Sequence, residues 1–424
     1  MRGLLVGMFL TGVLWAQDSV KTLTIEEAER FAITNSPRLG SATFISAAAG
    51  KIVSEVRAAR FPSLNAAVTG TGAETGTAIA AGALTTSSIS SRGATGISVS
   101  QLITDFGRTS ILTESARLRA AAQGKNVEDV SSLIRLEVRS AYYQAIRAES
   151  VLKVAQAALE QRRTTLRQIR ALAGSLLKST LDVSFAEVAV SESELLLYQA
   201  ENDVHSGRAR LSAAMGFDRE QTFALLAPGL PTTLDASPDA AISAALRDRP
   251  DLEALGLNRE AAHRFAEAES KLRYPTITAL GVGGVVPVRD HTLHDSYAAA
   301  GVNISIPILN GGLFNARQSE AELRAQAAEK DVRALALVIS RDVQIAWLDA
   351  KNAFQRLAVT DRLAQQATEA LRLAQVRYDN GLSGILELTQ AQFAQTSAQI
   401  GTASARFDYL ARRAILDYQM GVLR

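Results

Sequence analysis

The sequence predicts a mainly α-helical protein with a β-barrel part, built from one structural repeat written twice. Three observations carry this reading. The chain echoes itself over most of its length, each copy contains a very long stretch without proline, and period-two hydrophobicity precedes each of those stretches.

The echo is plainest at "RFPSL" (60–64) and "RYPTI" (273–277). Before them stand "NSPRL" (35–39) and "DRPDL" (248–252), so Pro37 and Pro250 are 213 positions apart, as are Pro62 and Pro275. Further on, "ITDFGR" (103–108) aligns with "ILNGGL" (308–313) at an offset of 205, leaving eight extra residues in the first copy, an insertion of loop size. At that same offset Ile134, Val138, Ala141, Ala145, Ala148 and Leu152 map onto Ile339, Val343, Ala346, Ala350, Ala353 and Leu357. "MG" at 215–216 maps onto "MG" at 420–421. The repeats are read as 17–216 and 237–424, joined by a linker at 217–236.

Each repeat is expected to open on a helix, at about 24–60 and 237–272. The long stretches follow at about 107–172 and 312–380, and at about 1.5 Å per residue each makes a rod of roughly 100 Å. Their shared apolar positions step by 4, 3, 4, 3, 4, the heptad seam of a coiled coil, with alanine letting helix axes approach closely. A second helix follows in each, at about 180–215 and 385–420, closing a helical hairpin. Gly174 and Gly381 stand where helix C-caps need a left-handed residue.

Between the prolines and the long helices the period changes to two, at about 62–72, 94–104, 275–286 and 297–308. Leu64, Ala66 and Val68, then Ile97 and Val99, then Ile277 and Ala279, then Val302, Ile304, Ile306 and Ile308 alternate with mostly polar or small residues. These are four strands in two hairpins. An apolar outer face and a polar inner face suit a barrel in lipid. Four strands cannot close a barrel alone and open edges do not exist in lipid, so membrane crossing would require oligomerisation. A soluble sheet packed on the helices has the same periodicity.

Composition agrees with export and with a packed core: 47% of residues are hydrophobic, 21% are charged, and the formal charge is +2, without the basic density of a nucleic-acid partner. There is no cysteine, hence no disulfide, thiolate metal site or N-terminal lipid anchor on cysteine. Arg2 followed by an apolar stretch from Gly3 to Trp15 reads as a signal peptide spanning 1–16, too short to cross a bilayer.

These features together resemble the TolC family of outer-membrane efflux proteins. The resemblance rests on the two repeats, the "FPSL" and "YPTI" lead-ins to the strands, and the glycine exits at "DFGR" and "NGG". It rests also on "YDNGLSGILEL" (378–388) and the closing "DYQMG" (417–421). It implies a homotrimer whose protomers each add four strands to a 12-stranded outer-membrane barrel, continued by an α-helical barrel through the periplasm. It implies a periplasmic adaptor and an inner-membrane transporter as partners, outer-membrane lipid around the strands, and no cofactor. By motif position, Glu387 falls on the family's acidic ring at the periplasmic gate, Tyr378 on its linking tyrosine, and Asp182 on the aspartate of the first hairpin. Gln390 stands where a well-known member has a second acidic ring and Ser383 where it has the linking arginine. The turns at Gly174 with Ser175 and at Gly381 with Leu382 fall where the adaptor would meet the duct.

No catalytic constellation is found: "GTGAETG" (70–76) fails the dinucleotide spacing, and no GxSxG, HExxH or phosphate loop occurs. His291 and His294, beside Asp290 and Asp295, offer ligand chemistry in a polar loop; a solvated loop has the same composition. The expected function is therefore passive conduction in a tripartite efflux or type I secretion system. The alternative is a periplasmic coiled-coil scaffold without a membrane barrel.

Overall fold

Prolines and glycines cut the chain into its elements. The computed structural model describes residues 22–72, 78–80, 86–88, 91–175, 177–230, 237–288 and 294–423. The expected signal peptide (1–16) and His291 lie outside the described residues. Strand β1 (Thr22–Leu23) leads into helices α1 (Ile25–Asn35) and α2 (Pro37–Ala58). Strands β2 (Ser63–Thr71), β3 (Ala78–Ala80), β4 (Thr86–Ser88) and β5 (Arg92–Thr104) precede helices α3 (Arg108–Gly174) and α4 (Thr180–Ala214). After β6 (Ala224–Leu225) come α5 (Pro238–Asp248), α6 (Pro250–Ser270), a 3-10 turn (Lys271–Arg273), β7 (Thr276–Val288) and β8 (Ser296–Ser305). Helices α7 (Leu313–Asp379) and α8 (Ile385–Gln419) end the chain. Helices α3 and α7 have 67 residues each, α4 and α8 have 35 each.

Several expectations need correction. The helices expected over 24–60 and 237–272 are each two helices, because Ser36 and Arg249 are extended. Each precedes a proline, whose ring bars the α conformation from the residue before it. The strand expected to reach 308 ends at Ser305, before Pro307, which has no N–H to give to a ladder. The linker at 217–236 contains β6, which pairs in parallel with β1 through Thr22↔Ala224 and Leu23↔Leu225. Gly174 is the last residue of α3 and keeps a helical backbone; the left-handed glycine expected there occurs only at Gly381, at φ 70°.

The chain divides into two compact units. One takes the described residues of 1–36, 134–235 and 348–416; the other takes those of 37–133, 236–347 and 417–424. In the first unit, Tyr142 is fully buried with its hydroxyl 2.6 Å from the Leu23 carbonyl, accepting from the Leu226 N–H at 3.1 Å. Burial pushes this phenol up to about 12. Thr24 and Glu27 form a reciprocal capping box at the start of α1. Glu29 is buried between Arg135 and Arg139, so its charge is paired twice.

In the second unit, Ala241 and Ala245 of α5 pack on Ile339 and Val343 of α7. Of the paired seam positions, Ile134, Val138, Ala141, Ala145 and Ala148 are buried, as are Ile339, Val343, Ala346, Ala350 and Ala353; Leu152 and Leu357 are half-buried. The closing "DYQMG" is held near Pro250: Arg249 pairs with Asp251, hydrogen-bonds Gln419 and lies 5.6 Å over the Tyr418 ring. The Tyr418 hydroxyl donates to Asp129 at 3.4 Å, and burial pushes that phenol up to about 12 and the Asp129 carboxyl upward.

Both copies of the "MG" motif end a helix in the same way. Gly216 (φ 83°) and Gly421 (φ 73°) are left-handed, and each is followed by an N–H that closes back on the helix: Phe217 to the Ser212 carbonyl, Val422 to that of Asp417, both 2.9 Å. Each also presses on the residue ahead of a proline break. A Cβ on Gly216 would lie 2.9 Å from Asn35 Cβ, and one on Gly421 would lie 2.9 Å from the Asp248 carbonyl carbon. Asn35 and Asp248 are themselves 213 apart.

The second unit also holds a four-stranded antiparallel sheet of order β2-β5-β7-β8, leaving β2 and β8 as open edges among the described residues. Register puts the period-two apolar residues of β2, β5 and β8, with Ile277 and Ala279 of β7, on one face. Leu64 lies opposite Val99 and Ala66 opposite Ile97; Val99 and Ile97 then meet Gly281 and Gly283. Across β7 and β8, Ile277 meets Ile304 and Ala279 meets Val302. The other face carries Asn65 opposite Ser98, and Thr278 opposite Asn303, together with Val282 and Leu280 of β7 beside Ser98 and Ser100. On that polar face Tyr297 covers a glycine pair: Gly96 opposes Gly284, and a Cβ on Gly284 would lie 2.7 Å from Tyr297 Cζ. Leu64, Val68, Ile97, Val302 and Ile304 are all more than half exposed, so none of the described residues covers the apolar face there.

Candidate periplasmic gate and turn site

The residues singled out by sequence meet at the ends of the two hairpins in the first unit. At the α7–α8 turn, the Gly381 N–H returns to the Tyr378 carbonyl (3.1 Å) and the Leu382 N–H to that of Arg377 (2.8 Å), which tightens the helix end around the left-handed glycine. The five-residue reversal brings Glu387, in the first turn of α8, against Arg377 in the last turn of α7. Arg377 Nε donates to Glu387 Oε1 at 2.8 Å, and Arg377 Nη2 reaches the Leu382 carbonyl at 3.4 Å. Both side chains are about half exposed (53% and 46%), so the pair contributes at most about 1 kcal/mol. The helix dipole favours each charge where it stands, cation at a C-terminus and anion at an N-terminus.

Tyr378 points the other way. It is 4% exposed, in a cluster with Leu166, Ile169, Ala186, Leu371, Ile385 and Leu388. Lys178 Nζ lies 3.9 Å over its ring. Burial raises the phenol's pKa, with Asp182 and Asp379 adding to the shift. Tyr378 Oη and Ser383 Oγ are buried without a hydrogen-bond partner among the described residues. Asp182 is occupied at the first hairpin: its carboxylate accepts from the Ser179 N–H (3.2 Å) while the Ser179 hydroxyl accepts from the Leu181 N–H (3.1 Å). Gln390 is exposed on α8. Gly174 ends α3 and Ser175 follows it, where the Leu177 N–H returns to the Leu172 carbonyl at 3.0 Å.

The structure thus brings Tyr378, Ser383 and Glu387 to one turn and Asp182 close enough to act on Tyr378. Two features escaped the sequence reading. One is Arg377 as the partner of Glu387: no local spacing rule links residues ten apart across a reversal. The other is apolar exposure at the tips, where Leu177, Leu181, Leu382 and Leu386 are each more than half exposed. Among the described residues no group of acidic or histidine side chains forms a metal site, and no helix is long and apolar enough to cross a membrane.

The sequence pattern of the family described as outer membrane efflux protein matches residues 30–217 and 241–422. The chain belongs to the outer membrane efflux protein family. Membership places it in the outer membrane, in a family of channel proteins. Among relatives of the efflux family, it is 24% identical over 333 residues to nodulation protein T of Rhizobium leguminosarum bv. trifolii, covering 77% of this chain and 70% of that protein. It is 26% identical over 345 residues to outer membrane protein OprJ of Pseudomonas aeruginosa, covering 79% and 71%. The fold is similar to that of the open-state MtrE outer membrane channel of Neisseria gonorrhoeae, with a TM-score of 0.77, 22% identity, and coverage of 94% and 88% of the two chains.

Proposed function

We propose that the chain is the passive exit duct of a tripartite efflux or type I secretion system, working with a periplasmic adaptor and an inner-membrane transporter. One observation supports this most: a four-stranded sheet that, among the described residues, is open at both edges and leaves Leu64, Val68, Ile97, Val302 and Ile304 uncovered on one face. Such a sheet is stable in lipid only when further copies close it. Three copies, as the family resemblance implies, make a 12-stranded barrel. The scaffold alternative needs the apolar face packed against helices, and its exposed leucine, valines and isoleucines speak against that. Extracted protein should therefore partition with outer-membrane porins, run as a homotrimer in light scattering and conduct ions in planar bilayers. A monodisperse monomer with its β-signal intact would sink this reading.

Within that duct we assign the gate to the α7–α8 turn, with the exposed leucine tips and the glycine turns facing the adaptor. Three copies of Glu387 around an axis would repel one another and gather cations. Arg377 answers that charge within its own hairpin, in place of the arginine that Ser383 replaces. Multivalent-cation block from the periplasmic side is thus expected to be weak in the parent and about tenfold stronger in Arg377→Gln, which bares the ring. Glu387→Gln in the Arg377→Gln background should abolish the gain. Identical block in all three channels would remove both residues from the constriction.

A further inference from the structure

The arginine that begins each echoed lead-in has two different fates. In the second repeat Arg273 is engaged, donating to Asn315 Oδ1 (2.8 Å) and Gln318 Oε1 (3.0 Å). In the first repeat Arg60 has no side-chain partner among the described residues. Neither does Arg57 have a carboxylate; its guanidinium lies 5.7 Å over the Phe61 ring. These two arginines line a cavity of about 280 Å³ with Arg117, Arg264, Glu114 and Ser110, where the end of α2 meets the start of α3 and the side of α6. The other two guanidiniums are neutralised: Arg117 pairs with Glu114, and Arg264 with Glu260 and Glu267. The cavity therefore presents two uncommitted positive forks, which suit the oxygens of a phosphate group.

Its place in the fold selects the source of that phosphate. Arg60 stands three residues before the first residue of β2, and the half-exposed rings of Phe61, Phe106 and Tyr274 stand at the same junction of helix and strand, Phe106 stacked on Tyr274 at 5.5 Å. Aromatic rings beside cations at the edge of an apolar sheet mark the headgroup level of a bilayer. We propose that the Arg57–Arg60 cavity binds the phosphate of an anionic phospholipid in the periplasmic leaflet. This rests on the outer-membrane reading of the sheet.

The test is to extract the trimer into mixed micelles of phosphatidylglycerol and phosphatidylcholine in equal amounts and to quantify the retained phospholipid by mass spectrometry. The parent should retain phosphatidylglycerol over phosphatidylcholine by about tenfold, since two charge-assisted contacts discriminate the anionic headgroup. Arg57→Gln with Arg60→Gln should bring the ratio near one, whereas Arg273→Gln should leave it unchanged. Equal retention of both lipids by the parent overturns the proposal whether or not the double variant folds. So does displacement of the lipid by millimolar inorganic phosphate, which would make this a site for the free anion. Fractionation separates the two levels: parent protein found in the outer membrane without lipid preference defeats only the lipid site, and parent protein absent from that membrane defeats the membrane reading itself.

Discussion

Arginine in place of Ile97 is expected to cost about 2–4 kcal/mol of stability in lipid, and arginine in place of Ser98 much less. Ile97 lies near the middle of the 13-residue β5, opposite Ala66 on β2 and Gly283 on β7. No large neighbour shields it, so a charge there meets hydrocarbon at the greatest depth. Ser98 is adjacent in sequence but projects to the other face, between Asn65 and Val282, where a barrel holds water. Comparing neighbours in one central strand keeps depth and backbone nearly constant and isolates the face. The measurement is denaturant unfolding of reconstituted protein, with heat-resistant oligomer as a second readout. Equal losses, or the larger loss at Ser98, would invert the assignment of lipid and lumen.

The second large effect is expected at the glycines that end α4 and α8. Gly216→Ala and Gly421→Ala should each cost about 2–5 kcal/mol, from two sources that add. A left-handed backbone strains any residue with a Cβ, and the new methyl would overlap backbone or Cβ atoms at 2.9 Å. Neither can be relieved by a rotamer change, because the opposing atoms belong to Asn35 and to the Asp248–Arg249 peptide. Gly174→Ala is the built-in control: that residue is helical and has open space where its Cβ would go, so alanine there should be neutral or stabilising by up to about 1 kcal/mol. Loss of helical circular dichroism with denaturant compares the three. A Gly216→Ala curve that overlays that of Gly174→Ala would show that the close approach to Asn35 has no energetic weight.

What the sequence makes legible is what repeats at a fixed interval. The seam from Ile134 to Ala148 and its counterpart from Ile339 to Ala353 are buried because a coiled-coil face is a local periodic property. The faces of β2 and β8 follow from period two for the same reason, whereas β7 sets Leu280 and Val282 beside Ser100 and Ser98. What depends on where two distant segments meet is not written locally. The β1–β6 bridge is two residues long on each side, too short for any period. The Arg377–Glu387 pair depends on how tightly the Gly381 turn closes, and Tyr297 finds its glycine seat only through the β5–β7–β8 register. Gly174 misleads for the converse reason: a glycine near a helix end need not be the left-handed residue, and here the chain returns to the Leu172 carbonyl through Leu177 instead.

The open edges at β2 and β8 also govern how the protein reaches its destination. A single copy entering hydrocarbon would carry two rows of unpaired amide and carbonyl groups, each group costing several kcal/mol. Insertion copy by copy is therefore closed to it. In the duct proposed above, copies would meet at the membrane surface and enter as a set, so the rate of biogenesis would fall steeply when the protein is scarce. Inheritance changes with it. For the homotrimer proposed above, a cell making sound and edge-damaged chains in equal amounts would by random assembly have only roughly one ring in eight free of damage. In that trimer a lesion on β2 or β8 would act as a dominant one, spoiling the product of the intact gene.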